Sequence, residues 1–362
     1  MRRTIGASES SSIYLLGICV GSLLSLFLSL ILRNVSATLD GMSVYSWCGY
    51  AIMQVGFIAT VFVYARVRKI DIVRIAKLKG KLNPMQIVLL PFIAIATILV
   101  FLPLANAWSA FLGVIGYHGA GVSMPSFSNA GIYFLALFVM AIMPAIGEEI
   151  FMRGTVFPGL ATRNVWFGVL MSGLFFSLMH ANPVQTVHQF GLGVVLALVV
   201  ALSGSIWASV IIHFFNNFIS ITLTAYLPQV DAIYVKLGYF NWLTGAASVV
   251  IGIVLLVCLL YLFYRAGDKR QKAGEVSNVY QEDGFTIVAT ANVTTKSENV
   301  FKGMIRFFKA LFTKQGWKSI QYELEERNEV EYIGKNQKLS GVWIALALVC
   351  AYWLYAFISG LI

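Results

Sequence analysis

Gly147-Glu148-Glu149-Ile150-Phe151-Met152-Arg153-Gly154 sets two adjacent carboxylates in an apolar, helix-forming stretch. Hydrocarbon surroundings make ionised side chains costly unless they are paired, hydrated or used, so this segment decides how the rest of the chain is read. Arg153 lies four residues after Glu149 and can meet it on one helix face. Glu148 points roughly 100 degrees away around the helix and needs another partner. Two carboxylates with one cation in reach make chemistry worth considering before ordinary packing.

The surrounding sequence supports the membrane reading. Of 362 residues, 59% are hydrophobic and only 12% charged, and the apolar ones gather in long runs. That composition implies an all-α polytopic membrane protein. Spans are expected near 12–32, 44–65, 87–106, 130–150, 165–181, 189–204, 206–222, 244–264 and 341–361, which gives eight or nine crossings because the fifth to seventh are short. A formal charge of +10 raises nucleic acid as a partner. The basic residues instead flank apolar segments and form no interleaved base-stacking pattern, which argues against nucleic acid.

Charge also orients the chain. The connection from Arg66 to Lys81 carries Arg66, Arg68, Lys69, Arg74, Lys77, Lys79 and Lys81 against Asp71, so it is expected on the cytoplasmic side of a cell membrane. Two preceding helices then put Arg2 and Arg3 inside, and a nine-crossing count brings Arg153, Arg163 and the Arg265–Lys272 cluster near the same side. The run Ile13–Leu32 is too long for an ordinary signal-peptide core and reads as a retained first helix. Cys19, Cys48, Cys258 and Cys350 have no paired metal or redox spacing and are expected as buried small hydrophobes. The sequons at Asn34 and Asn292 read as incidental.

Three regions follow. Residues 1–265 form a membrane helical domain, 266–338 a cytoplasmic extension and 339–362 a terminal membrane helix. Within the extension, Phe285–Ala289 is a candidate strand and Glu323–Glu331 a charged run. Phe301–Phe312 spaces Met304, Ile305, Phe308, Leu311 and Phe312 as a helix face beside Lys302, Arg306 and Lys309. It reads as an interfacial helix, with docking onto the protein body or a partner as the other reading.

Two further polar motifs lie in apolar helices. Phe176-Ser-Leu-Met-His180 is followed by Ala181, Asn182 and Pro183, which end the helix, and His180 can carry a proton or donate a hydrogen bond. His213-Phe-Phe-Asn-Asn217 puts His213 and Asn217 on one face, separated by about 6 Å of rise. The pair can clamp the negative oxygen formed when water adds to a peptide carbonyl, or bind another helix.

In combination the three motifs resemble the CAAX protease and bacteriocin-processing family of intramembrane glutamic endopeptidases. Glu148-Glu149-Ile-Phe-Met-Arg153 is similar to its first motif, Phe176 with His180 to its second, and His213 with Asn217 to its third. The resemblance covers a core at about 140–220 and implies helices around a polar intramembrane cavity. It implies that Glu148 activates water, that His180 assists with the proton, and that His213 and Asn217 bind the oxyanion. Glu149 is paired with Arg153, and Phe176 supports the site. Glu148, His180 and His213 could also converge as metal ligands, but no His-Glu-x-x-His helix is present and ligation would withdraw His213 from its donor role. No metal or cofactor is expected. His118 and His188 lie outside the motifs and are expected to be structural.

The expected activity is metal-independent endoproteolysis of a membrane-associated peptide or protein, with the bilayer and a partner of segment 266–338 as further contacts. A noncatalytic membrane scaffold or bacteriocin-immunity protein is the alternative. A transporter ranks third because no internal repeat pairs two broken helices. One difficulty is depth: if both helices begin at the membrane surfaces, Glu148 and His180 fall at different levels. A helix extending through Leu160, a shifted fifth helix, or a thinned water-filled region would each reconcile them.

Overall fold

The computed structural model describes residues 4–119, 123–226, 241–268, 300–327 and 338–362. Helix α1 (Ala7–Ile31) is followed by an antiparallel hairpin of Thr38–Leu39 with Met42–Ser43 and then α2 (Val44–Arg68), whose first turn is capped by the Ser43 side chain. A short α3 (Ile72–Ile75) in the basic connection leads to α4 (Pro84–Val114). There Asn83 and Gln86 form a reciprocal capping box, satisfying two of the first-turn donors.

The glutamate helix α5 runs unbroken from Ala130 to Ala161. It is followed by α6 (Val165–Leu178), a turn at Pro183–Gln185, α7 (Thr186–Ser203) and α8 (Ile206–Tyr226). Then come α9 (Trp242–Asp268), α10 (Val300–Leu311), α11 (Lys314–Arg327) and α12 (Ser340–Ser359). Among the described residues eight helices are long and apolar enough to cross a membrane, and α6, with 14 residues, is the short ninth. The expectation of an all-α polytopic membrane protein holds.

The extension of α5 through Ala161 resolves the depth difficulty. Glu148 lies thirteen residues before Ala161 and His180 fifteen after Val165, about 20 Å and about 22 Å of rise from neighbouring helix ends. Helix α6 stops at that depth because Ala181 takes a left-handed φ of 45° and Pro183 follows. Non-helical backbone at membrane depth needs internal partners. Here Ser177 Oγ donates to the Thr186 carbonyl, Asn182 Oδ1 accepts from Val184 N, and Trp108 Nε1 reaches the Pro183 carbonyl.

Contacts between connections define two ends. At one, Ser8 Oγ donates to the Lys338 carbonyl, Arg68 faces Glu9, Ser205 Oγ donates to the Gly80 carbonyl, and Asn83 reaches the Ala266 carbonyl. The basic connection therefore shares an end with the start of α1 and the close of α9. At the other, Ser128 N donates to Asp40 Oδ2 and His118 N to the Gly360 carbonyl. Hydrogen bonding from Ser128 holds the Asp40 carboxyl below its ordinary value.

Aromatic stacking ties α1, α2, α5 and α6 together behind the glutamates. Tyr14 and Phe175 stack at 4.5 Å, as do Phe57 and Phe151, and the Tyr14 hydroxyl donates to the Phe175 carbonyl. The α10–α11 hairpin docks on the body. Trp166 meets Trp317 edge-on at 4.5 Å, and Phe307 packs 5.4 Å from Tyr261. Phe301, Ile305 and Phe312 stay exposed, so α10 docks with part of its apolar face and leaves the rest outward.

The candidate strand Phe285–Ala289 and Asn292 lie outside the described residues, and the charged run is described as helix only to Arg327. The cysteines depart from the buried expectation: Cys19 is exposed and Cys48, Cys258 and Cys350 are half-buried. They occupy apolar helices whose outer surfaces face hydrocarbon, where exposure of an apolar side chain carries no hydration cost.

Gly173 and Gly193 let α6 and α7 touch: a Cβ on Gly173 would stand 2.6 Å from Val194 Cγ2, and one on Gly193 2.9 Å from Gly173 Cα. Gly173→Val is expected to wedge the helices apart at a cost of about 1–3 kcal/mol. Thermal unfolding in detergent should show a lowered midpoint, and an unchanged midpoint would contradict this helix contact.

Candidate active site

The two glutamates sit in an α-helical segment, Met143–Phe151, between two π-helical stretches of α5, Leu137–Ile142 and Met152–Val156. Such wide turns are uncommon and concentrate at functional sites. Pro144 has no N–H to return to the Met140 carbonyl four residues earlier. Asn217 Nδ2 of α8 donates to that carbonyl instead, at 3.2 Å. The missing N–H at Pro144 in α5 is thus matched by a neighbouring candidate-site residue.

Glu149 and Arg153 are both fully buried. Arg153 Nη1 donates to Glu149 Oε1 at 2.9 Å and Nη2 donates to the Gly193 carbonyl at 2.9 Å. The guanidinium lies 4.4 Å from the centre of the Phe176 ring, which gives the motif phenylalanine a cation–π role. The same Glu149 oxygen accepts from His213 Nδ1 at 2.9 Å. One carboxylate therefore holds both the arginine and the histidine.

Glu148 faces the other way. Its Oε1 accepts from Gln54 Nε2 of α2 at 3.0 Å, while its Oε2 has no hydrogen-bond partner among the described residues. Nε2 of His180 and Nε2 of His213 each stand 3.9 Å from that Oε2, beyond direct hydrogen-bond length. His180 Nδ1 is 2.6 Å from the Phe176 carbonyl. A carbonyl can only accept, so Nδ1 carries the proton and neutral His180 presents a lone pair at Nε2.

A cavity of about 630 Å³ is lined by Glu148, His180, His213 and Asn217 together, with His188 and Asn216 beside them. The second and third motifs therefore converge on the first across α5, α6 and α8. The two expected oxyanion donors are not both free. Asn217 commits one amide hydrogen to Met140, leaving one for the cavity, and His213 commits Nδ1 to Glu149. His213 therefore donates from Nε2 only as an imidazolium.

Residues 130–219 match the family described as Type II CAAX prenyl endopeptidase Rce1-like. The resemblance carried by the three motifs is borne out over that segment. Every motif residue lies inside it, and the expected core at 140–220 nearly coincides with the matched CAAX-endopeptidase segment. No curated protein and no solved structure matches the chain.

Three polar residues of the site lie outside the motifs. Gln54 precedes the matched segment, and Gly147 gives it room, since a Cβ there would meet Gln54 Oε1 at 2.6 Å. His188, expected to be structural, lines the cavity, and its Nε2 is 3.3 Å from Asn216 Oδ1. The available signal was a lone amide in an apolar α2 and a lone imidazole in an apolar α7, each costly in a membrane. Among the described residues no group of three His, Cys, Asp or Glu side chains is arranged to hold a metal ion.

Removing one partner of a buried ion pair leaves the other uncompensated, at a cost of about 3–5 kcal/mol. Arg153→Met is expected to fall in that range. Arg153→Met combined with Glu149→Leu should regain part of the loss. Unfolding of the purified variants measures both, and a double variant no more stable than Arg153→Met would contradict the pairing.

Proposed function

We propose that the chain is a metal-independent intramembrane glutamic endopeptidase acting on a membrane-associated peptide or protein. The observation that carries this reading is the unpartnered Glu148 Oε2, facing two histidine nitrogens at the edge of a polar cavity. The separations of 3.9 Å are suited to a bridging water rather than to direct bonds. The family match supports protease chemistry in general.

In the proposed reaction Glu148 takes a proton from water as the water oxygen bonds to the scissile carbonyl carbon. Gln54 holds the other carboxylate oxygen, which fixes the direction of the base. The carbonyl oxygen becomes an oxyanion facing His213 Nε2–H and the remaining Asn217 amide hydrogen. As the carbon–nitrogen bond breaks, the proton on Glu148 passes to the leaving amine, directly or through His180 Nε2. Glu149 orients His213, and Arg153 with Phe176 anchors Glu149.

The orientation proposed with it places the N terminus and segment 266–338 in the cytoplasm, because the basic connections gather at one end. Segment 266–338 is also the surface proposed for a further partner.

Glu148→Gln keeps size but removes the base, and hydrolysis is expected to fall by about 10²–10⁴-fold with the fold retained. His213→Ala and Asn217→Ala should each reduce turnover by about 10²–10³-fold with smaller effects on binding to a Glu148→Gln background. Undiminished cleavage by folded Glu148→Gln would reject its assigned role, and retained biological function in that variant would favour the noncatalytic scaffold. Activity should also persist in a preparation shown by elemental analysis to lack zinc. Loss of activity on zinc removal, with recovery on its return and no change in folding, would overturn the metal-independent mechanism.

A further inference from the structure

Among the described residues the cavity extends from Glu148 in one direction only. Towards one end it is lined by Ser109 near the close of α4, Met124 in the connection before α5, and Ser220 and Leu223 near the close of α8. These positions belong to the end where Ser128 meets Asp40 and His118 meets Gly360. None of the lining residues comes from the basic connection of α2 to α4, the start of α8 or the α10–α11 hairpin.

The opposite direction is closed by packed side chains. Glu149, Phe151, Met152, Arg153 and Phe176 have no exposed surface, and beneath them Gly154 lies against Ala76 at the foot of the basic connection. A substrate approaching from that end would have to break the Glu149–Arg153 pair. The open direction needs no such rearrangement.

The chemistry of the open part fits a peptide. Asn106 Nδ2 and Gln189 Oε1, on lining residues, are buried without a hydrogen-bond partner among the described residues. A spare donor and a spare acceptor match the two polar groups of a peptide unit. Among the described lining residues Glu148 alone belongs to the Asp, Glu, Lys and Arg group, so apart from the His213 N–H at the oxyanion position an acidic segment meets like charge there.

The geometry points to entry from the extracytoplasmic side: the site takes an outward-facing segment of an exported or membrane-anchored polypeptide, neutral or basic around the scissile bond. This rests on the peptidase reading and on the orientation given by the basic end.

Side of access is measured without relying on activity. Full-length protein with its four native cysteines replaced carries Ser109→Cys, Ser220→Cys or, as the basic-end reference, Thr313→Cys. A membrane-impermeant maleimide is applied to right-side-out and inside-out vesicles. Ser109→Cys and Ser220→Cys should label at least tenfold faster from the face opposite to the one that labels Thr313→Cys. Labelling from the same face as Thr313→Cys overturns the proposal.

Cleavage is then read with a co-reconstituted single-span test protein, tagged at both ends, bearing a neutral polar segment beside the span on one side or the other. Cutting is expected only when the segment lies opposite the Thr313 face, with at least a tenfold loss when aspartates flank it. Cutting confined to the Thr313 face, with Glu148→Gln inactive, overturns the entry side while preserving the peptidase. Opposite-face labelling with no cutting of either test protein preserves the entry side and counts against the peptidase.

Discussion

A guanidinium with no solvent exposure in a membrane bundle is the constraint around which the other parts are arranged. Arg153 is tolerable there because one carboxylate, one backbone carbonyl and one aromatic face surround it. Each contact recruits a different element: Glu149 from the same helix, Gly193 from α7 and Phe176 from α6. The carbonyl is reachable only because Gly173 and Gly193 allow α6 and α7 into contact. His213 of α8 then joins through the oxygen of Glu149 that already holds the arginine. Neutralising one buried charge thereby positions three helices around Glu148.

The short α6 has a related consequence. A helix of full membrane length would carry its end past the glutamates, leaving mid-depth filled by apolar side chains. Ending α6 beside Glu148 instead exposes polar turn residues to the cavity, where they are satisfied by protein partners or by the cavity rather than left facing lipid. The π-helical stretches of α5 act in the same sense. Displacing the usual backbone register makes room for side chains from α8 to satisfy α5, as Asn217 does at the Met140 carbonyl.

Most of the architecture was legible because hydrophobic run length maps directly onto membrane helices. The Glu149–Arg153 pair was legible for a similar reason, since four-residue spacing is a local helical property. The family resemblance located His180, His213 and Asn217, and the fold brings them to one cavity. What sequence could not supply was nonlocal. Gln54 reaches Glu148 only because α2 crosses at Gly147, and His188 joins the site only because α7 returns from a turn at mid-depth. Neither crossing has a periodic signature. The cysteines were misread for a simpler reason: in a bilayer an apolar side chain need not be buried in protein.

The two adjacent glutamates have the same chemistry but opposite surroundings. Glu149 is held by a permanent cation and a histidine, so its negative charge is useful inside the protein and unavailable to water. Glu148 has a single neutral donor on one oxygen and no hydrogen-bond partner among the described residues on the other. In the proposed reaction the base accepts a proton and releases it in each turnover, which a carboxylate locked to an arginine could not do. Reversing the environments would make Glu149 the free carboxylate but point it, some 100 degrees around the helix, into packed side chains. Adjacent placement therefore gives one carboxylate to the scaffold and one to the cavity, and the helix period decides which is which.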